Sequence, residues 1–215
     1  VGEMAAAVAH EVKNPLAGIG GAVGVIGREF PEGDPRAGVV SEIQRQVKRL
    51  DVIIRDLLTF ARPTVPRFGR IELAGFVERV LRVLREEPVL FAHRIETRIP
   101  PDLALRSDPQ LFENILINLL LNAGEALAGR PGRILLEAGE RNGLFHLDVQ
   151  DDGPGIPPEV FRNIFKPFFT TKHRGTGLGL TIVRKLTEVM GGRVEVETEE
   201  GKGTRFTVLL PQEGR

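Results

Sequence analysis

The chain contains no cysteine, which excludes disulfides and thiolate metal sites and fits a reducing compartment. No apolar run approaches the roughly 18 residues of a membrane-spanning helix, and no signal-peptide pattern is visible, so these residues are expected to make no membrane contact. Neither sign of charge is in excess. The 29 Lys plus Arg balance 29 Asp plus Glu, leaving nothing to favour nucleic acid or an anionic surface as partner. Internal repeats and low-complexity tracts are missing as well. An initiator Met is absent: the chain starts at Val1, already inside a helical pattern, and reads as a piece of a longer protein, cytoplasmic itself whether the whole is soluble or membrane-anchored. What remains is ordinary globular material, 215 residues with 41% apolar and 27% charged, enough for one or two domains with a real core.

Apolar positions Ala5, Ala9, Val12, Leu16, Ile19, Val23, Ile26 and Phe30 alternate spacings of four and three, a heptad seam on a first helix. Within VAHEVKNPL, His10 and Asn14 fall off that seam, one turn apart on the outer face. A lone helical histidine is most often a surface or satisfied core residue. Here Glu11 stands beside it, and a neighbouring carboxylate can hold one ring nitrogen as N–H and leave the other a neutral nucleophile at physiological pH. A zinc-protease HExxH is excluded, because Asn14 stands where the second histidine is required.

A turn, FPEGDPR, leads to a second helix running to about Arg62, with its own seam of Ile43, Val47, Leu50, Ile54, Leu57 and Ala61. A two-helix hairpin cannot cover both its stripes alone. A homodimer that closes a four-helix bundle is therefore expected. The first helix also holds Gly18, Gly20, Gly21, Gly24 and Gly27, with Pro15 just below His10. These residues either soften and bend the helix or let a neighbouring helix pack closely.

Proline-rich ARPTVPRFG breaks the heptads, which places a linker at 63–69 between a helical domain, 1–62, and a second domain, 70–215. The second domain reads as α+β, a sandwich of a mixed sheet with helices on one face. Helices are expected over about 73–86, 109–128 and 178–190, and strands near 94–99, 104–106, 133–138, 144–150, 193–198 and 204–210. Alternation in Leu144, His146 and Val149 supports the fourth of these strands.

Asp108 followed by Pro109 is an N-cap and first-turn proline. Along the helix that follows, Asn114, Asn118 and Asn122 recur every four residues among leucines and isoleucines. Such amides need partners when buried, and their carbonyls suit a hard cation such as magnesium. DDGPGIP then follows a strand, with Asp151 placed to accept from an exocyclic amine such as that of adenine and Gly153 and Gly155 allowing close backbone approach. Next comes IFKPFFTTKHRGTGLGLTIV, in which Phe165, Phe168 and Phe169 pin a lid-like loop and GTGLG opens a helix, a favourable place for phosphate. GTGLG is neither a P-loop nor a dinucleotide fingerprint.

Taken in order, the histidine motif, asparagine helix, DxGxG, phenylalanine-rich loop and GxGxG resemble the transmitter module of bacterial two-component histidine kinases, with HEVKNPL and PFFTTKHRGTGLGL similar to nitrogen-regulation-type sensors. The resemblance runs from about Met4 to Leu210. It implies a dimerisation and histidine-phosphotransfer domain followed by an ATP-binding domain of the gyrase and mismatch-repair type. It makes His10 the phosphorylated residue, Glu11 its acid or base, and Asn14 the residue orienting water in dephosphorylation of a partner. Asn122 becomes the magnesium ligand, Asn118 its catalytic neighbour in place of the glutamate of related ATPases, and Asp151 the adenine-binding aspartate. Gly153 and Gly155 shape the adenine wall, while Gly175, Thr176, Gly177, Leu178 and Gly179 form the phosphate wall, with Phe165, Lys172 and Arg174 completing the cofactor set. ATP and Mg2+ are the implied ligands and a response regulator the implied partner. Rival readings are a net phosphatase of that regulator, an ATP-driven module without phosphotransfer, and a nucleotide-binding scaffold without turnover.

Overall fold

The computed structural model describes residues 2–31, 34–127, 130–172 and 175–212, with side chains from Val12 onward. The chain divides into two units, Val1–Pro63 and Thr64–Arg215.

The first unit is a helical hairpin of α1 (Gly2–Arg28) and α2 (Pro35–Ala61). Asp34 caps α2 by accepting from the Arg36 backbone N–H at 2.8 Å, with Pro35 in the first turn. α1 runs on through Pro15 as one helix. Leu16 and Ile54, with the partly buried Leu58, form one buried contact between the two. The glycines of α1 divide by face. A Cβ at Gly27 would stand 2.7 Å from Val40 Cγ1, and one at Gly20 3.3 Å from Val47 Cγ1, whereas Gly18 and Gly21 face open space. Close packing accounts for Gly20 and Gly27. Other seam residues, Val12, Ile19, Ile26, Ile43 and Leu50, are 40% to 49% exposed in the single chain.

The second unit runs β1 (Gly69–Glu72), α3 (Leu73–Leu84), α4 (Pro88–Phe91), β2 (Arg94–Arg98), β3 (Ala104–Ser107), α5 (Pro109–Ala126), β4 (Arg133–Arg141), β5 (Leu144–Asp151), α6 (Pro158–Phe161), α7 (Gly179–Val189), β6 (Arg193–Glu199) and β7 (Gly203–Pro211). Five strands form one mixed sheet in the order β2-β4-β5-β7-β6, with β2 parallel to β4 and the other pairs antiparallel. β1 and β3 make a separate antiparallel ribbon. Pattern reading passes over β1, α4 and α6, each of four residues, although it finds β3 at the same length.

The core lies between the five-stranded sheet and α3, α5 and α7. Phe112 of α5 meets Phe145 of β5 edge-on at 5.9 Å and Phe76 of α3 at 5.7 Å. This corrects the alternation expected in β5: Phe145, Leu147, Val149 and Asp151 share the helix side, and Leu144 and His146 fall on the other. That other face is a polar lattice in which Thr207 donates to Asp148 at 2.5 Å and Arg205 to Gln150 at 2.9 Å. Asp108 caps α5 as expected, accepting from Gln110 and Leu111 N–H through one oxygen and from Arg67 N–H at 2.7 Å through the other. α5 ends at Ala126 with Leu127 as its cap; Ala128, expected inside it, lies outside the described residues.

Candidate nucleotide-binding site

Three successive turns of α5 face three different parts of one site. Asn118 donates its amide N–H to the Asn114 carbonyl at 2.8 Å, and its Oδ1 is the atom that a Cβ on Gly179, the first residue of α7, would meet at 2.8 Å. One turn on, Asn122 Oδ1 accepts from Lys172 Nζ at 2.8 Å. Another turn on, Ala126 stands 3.5 Å from where a Cβ on Gly153 would be. The four-residue spacing visible in the sequence thus becomes a ladder whose rungs touch the helix start, the lid and the DxG loop. Asn114 is exposed and contributes only its carbonyl.

Asp151 ends β5 with 2% of its surface exposed. Burial raises its carboxyl above the usual carboxylate range; backbone N–H groups of Gly153 and Thr204 work against this, Asp152 adds to it, and the Lys172 charge opposes it. Gly153 donates its N–H to Asp151 Oδ1 at 2.8 Å, and a side chain on Gly153 would collide with that oxygen. Gly155 has φ +74° and passes against the Glu199 carbonyl, so its turn requires glycine twice over. The loop is further held by Ile156 N–H to Thr198 Oγ1 at 2.9 Å and by Gly201 N–H to the Pro154 carbonyl at 2.8 Å.

The lid is rooted at both ends. Phe165 gives its carbonyl to Thr181 Oγ1 and Arg184 Nη2, both at 3.2 Å, and the Arg184 guanidinium lies over its ring at 5.2 Å. Phe168, at φ +64°, donates its N–H to the Gly177 carbonyl at 3.0 Å. Gly177 itself has φ +68°, with the Phe168 backbone only 2.5 Å from a notional Cβ. Between these ties Lys172 donates its backbone N–H to Thr170 Oγ1 at 3.1 Å and accepts from Gly175 N–H at 3.3 Å. Thr176 Oγ1 accepts from the N–H of the fully buried Leu178 at 3.2 Å.

Asp151, Gly153, Gly155, Asn118, Asn122, Lys172 and Gly175 to Gly179 are therefore brought together. Phe165 sits at the lid's root. Arg174 lies outside the described residues, as do the side chains of His10 and Glu11, whose backbone belongs to α1. Asn14 is exposed on that helix. Sequence reasoning passed over two residues of the site. Glu125, whose Oε2 is 2.6 Å from Lys172 Nζ, is three residues beyond Asn122, and extending the helical stripe would have found it. Thr204 reaches Asp151 only through the pairing of β5 with β7, which local pattern does not reveal. Among the described residues no group of three or more His, Asp or Glu is arranged to hold a metal by itself, and no helix is long and apolar enough to cross a membrane.

Residues 107–214 match the model of the histidine kinase-, DNA gyrase B-, and HSP90-like ATPases. The chain belongs to this family, and its second unit is an ATP-binding domain. Residues 1–65 match the His Kinase A (phospho-acceptor) domain, so the two stretches together are the domain pair of a two-component histidine kinase's transmitter core. The sensor histidine kinase ZraS of Escherichia coli strain K12 is 33% identical over 214 residues, covering 98% of this chain and 45% of ZraS. Full-length ShkA in complex with AMPPNP superposes with a TM-score of 0.80 at 27% identity, covering 98% of this chain and 46% of that one. Histidine kinase ThkA in complex with response regulator protein TrrA gives 0.70 at 29% identity, covering 98% and 61%. The chain spans about half the length of the curated relatives it matches.

Proposed function

We propose that this chain binds ATP with Mg2+ in its second unit, phosphorylates itself on His10 and passes the phosphoryl group to an aspartate of a response regulator, acting as a homodimer. The α5 ladder carries the reading: one helix face presents Asn118 to the α7 start, Asn122 to the lid and Ala126 to the Asp151 loop, which is how a nucleotide is gripped at both ends. The relatives named as kinases, and the ThkA complex with a response regulator, support the same assignment.

Asp151 accepts from the adenine amine, fixed in place by the Gly153 and Thr204 N–H groups. Asn122 Oδ1 already faces a cation, the Lys172 ammonium, and as a hard neutral oxygen it fits a magnesium ion that keeps most of its waters. That ion would neutralise charge on the phosphates. Lys172, and Arg174 with it, steady the phosphates from the lid, and the glycine-rich start of α7 offers backbone N–H groups to them. Glu11 holds the His10 imidazole with one nitrogen as N–H. The other nitrogen attacks the γ-phosphorus in line, a P–N bond forming as the bond to the ADP oxygen breaks. The exposed seam residues of α1 and α2 supply the dimer surface.

The deciding experiment incubates the protein and His10→Ala with γ-labelled ATP and magnesium, then treats the labelled protein with acid and alkali. Acid-labile, alkali-stable label that vanishes in the variant establishes the kinase. Absence of label despite demonstrated ATP binding refutes it. A phosphatase activity on the phosphorylated regulator is favoured by Asn14, exposed one turn from His10. Asn14→Ala is expected to abolish dephosphorylation while leaving His10 labelling; equal loss of both would undo that role.

A further inference from the structure

Glu125 is an odd residue to find beside phosphates. It extends the Asn118 and Asn122 face of α5, so its carboxylate projects over the site that has to accept a polyanion. An uncommitted carboxylate there would repel the ligand. It is committed: Lys172 Nζ lies 2.6 Å from Glu125 Oε2 and 2.8 Å from Asn122 Oδ1, using two of its three donors. The lysine and glutamate side chains are 34% and 43% exposed, so the pair is partly solvated and weak enough to exchange partners. Lys172 is also bonded through its backbone to Thr170 and Gly175, which couples the ammonium's partner to this part of the lid.

We propose that Glu125 is a positioning residue for the nucleotide site: with Asn122 it holds the Lys172 ammonium on α5, and phosphates enter by taking Lys172 away from Glu125. The inference rests on the nucleotide reading of the site. Asn122 Oδ1 then has a cation partner in either state, Lys172 before and the metal after. The pair also makes binding sensitive to magnesium. Metal-free ATP must strip Lys172 from both oxygens unaided, whereas ATP arriving with its cation supplies a replacement for the one on Asn122.

The test uses the whole chain as wild type, Glu125→Gln, Lys172→Met and the double variant, with two readouts. In ligand-free protein, amide hydrogen exchange across residues 166–178 is expected to quicken in both single variants and no further in the double. In EDTA, Glu125→Gln is expected to bind ATP about fivefold more tightly than wild type, by displacement of a fluorescent analogue, and this gain is expected to vanish in the Lys172→Met background. A gain that persists undiminished without Lys172 means simple charge repulsion and overturns the proposal. So does wild-type exchange in Glu125→Gln. Wild-type protein that binds no ATP at all would instead overturn the nucleotide reading, and this proposal with it.

Discussion

Asp151 sets binding against stability within a single side chain. Burial raises its carboxyl above the ordinary range, so the folded protein holds a proton that the unfolded chain has already released. The group's contribution to stability is complete below the ordinary carboxylate pKa and is lost as pH rises through the raised value, which makes the ionised group a cost to the fold at neutral pH. Asp151→Asn removes the charge. The variant is expected to gain stability relative to wild type as pH rises above the ordinary carboxylate value of about 4, measured by urea melts across a pH series. On the proposed function it is also expected to lose roughly 10- to 100-fold in ATP affinity, since an acceptor offered to the adenine amine becomes a donor. A stability difference that stays constant with pH would show that Asp151 does not titrate as its burial requires.

At the scale of elements, α1 separates its glycines by what faces them. Gly27→Ala would push a Cβ to 2.7 Å from Val40 Cγ1 and is expected to cost about 1–3 kcal/mol as the helices are forced apart. Gly18→Ala and Gly21→Ala meet nothing and are expected to stabilise by about 0.5–1 kcal/mol each, because only backbone entropy changes. Thermal melts of the three variants check both signs together. The start of α5 depends on a single carboxylate that caps the helix and also receives Arg67 N–H. Asp108→Ala is expected to lower stability by about 1–2 kcal/mol in denaturant titration; a neutral result would mean that water replaces all three bonds.

For the whole molecule, the exposed stripe on α1 and α2 argues for a second copy. Leu16 and Ile54 are satisfied within one chain, while Val12, Ile19, Ile26, Ile43 and Leu50 keep 40% to 49% of their surface. Ile19→Lys places a charge in the middle of that stripe. Sedimentation is expected to show dimer for wild type and monomer for the variant, with ATP binding retained because Asn118, Asn122 and Asp151 all belong to the second unit. A variant that remains dimeric would move the interface elsewhere.

Periodicity and capping chemistry are local, and for that reason the sequence by itself determined a great deal here: the two heptad helices, the Asp108 start of α5, the four-residue asparagine ladder and the glycine-marked loops around the site. A helix turn places residue i beside i+4 whatever else the chain does. What only the tertiary structure decided is pairing across long separations. The order β2-β4-β5-β7-β6 brings Thr204 to Asp151, and the β5 alternation is assigned to its faces only once Phe145 meets Phe112. β1, α4 and α6, four residues each, are placed only by their pairing and packing in the fold. The bond between Lys172 and Glu125 spans 47 residues, and no local rule predicts which carboxylate a lid lysine will find. Contacts of that kind exist only after the core has placed both elements, and they belong to the fold rather than to any stretch of chain.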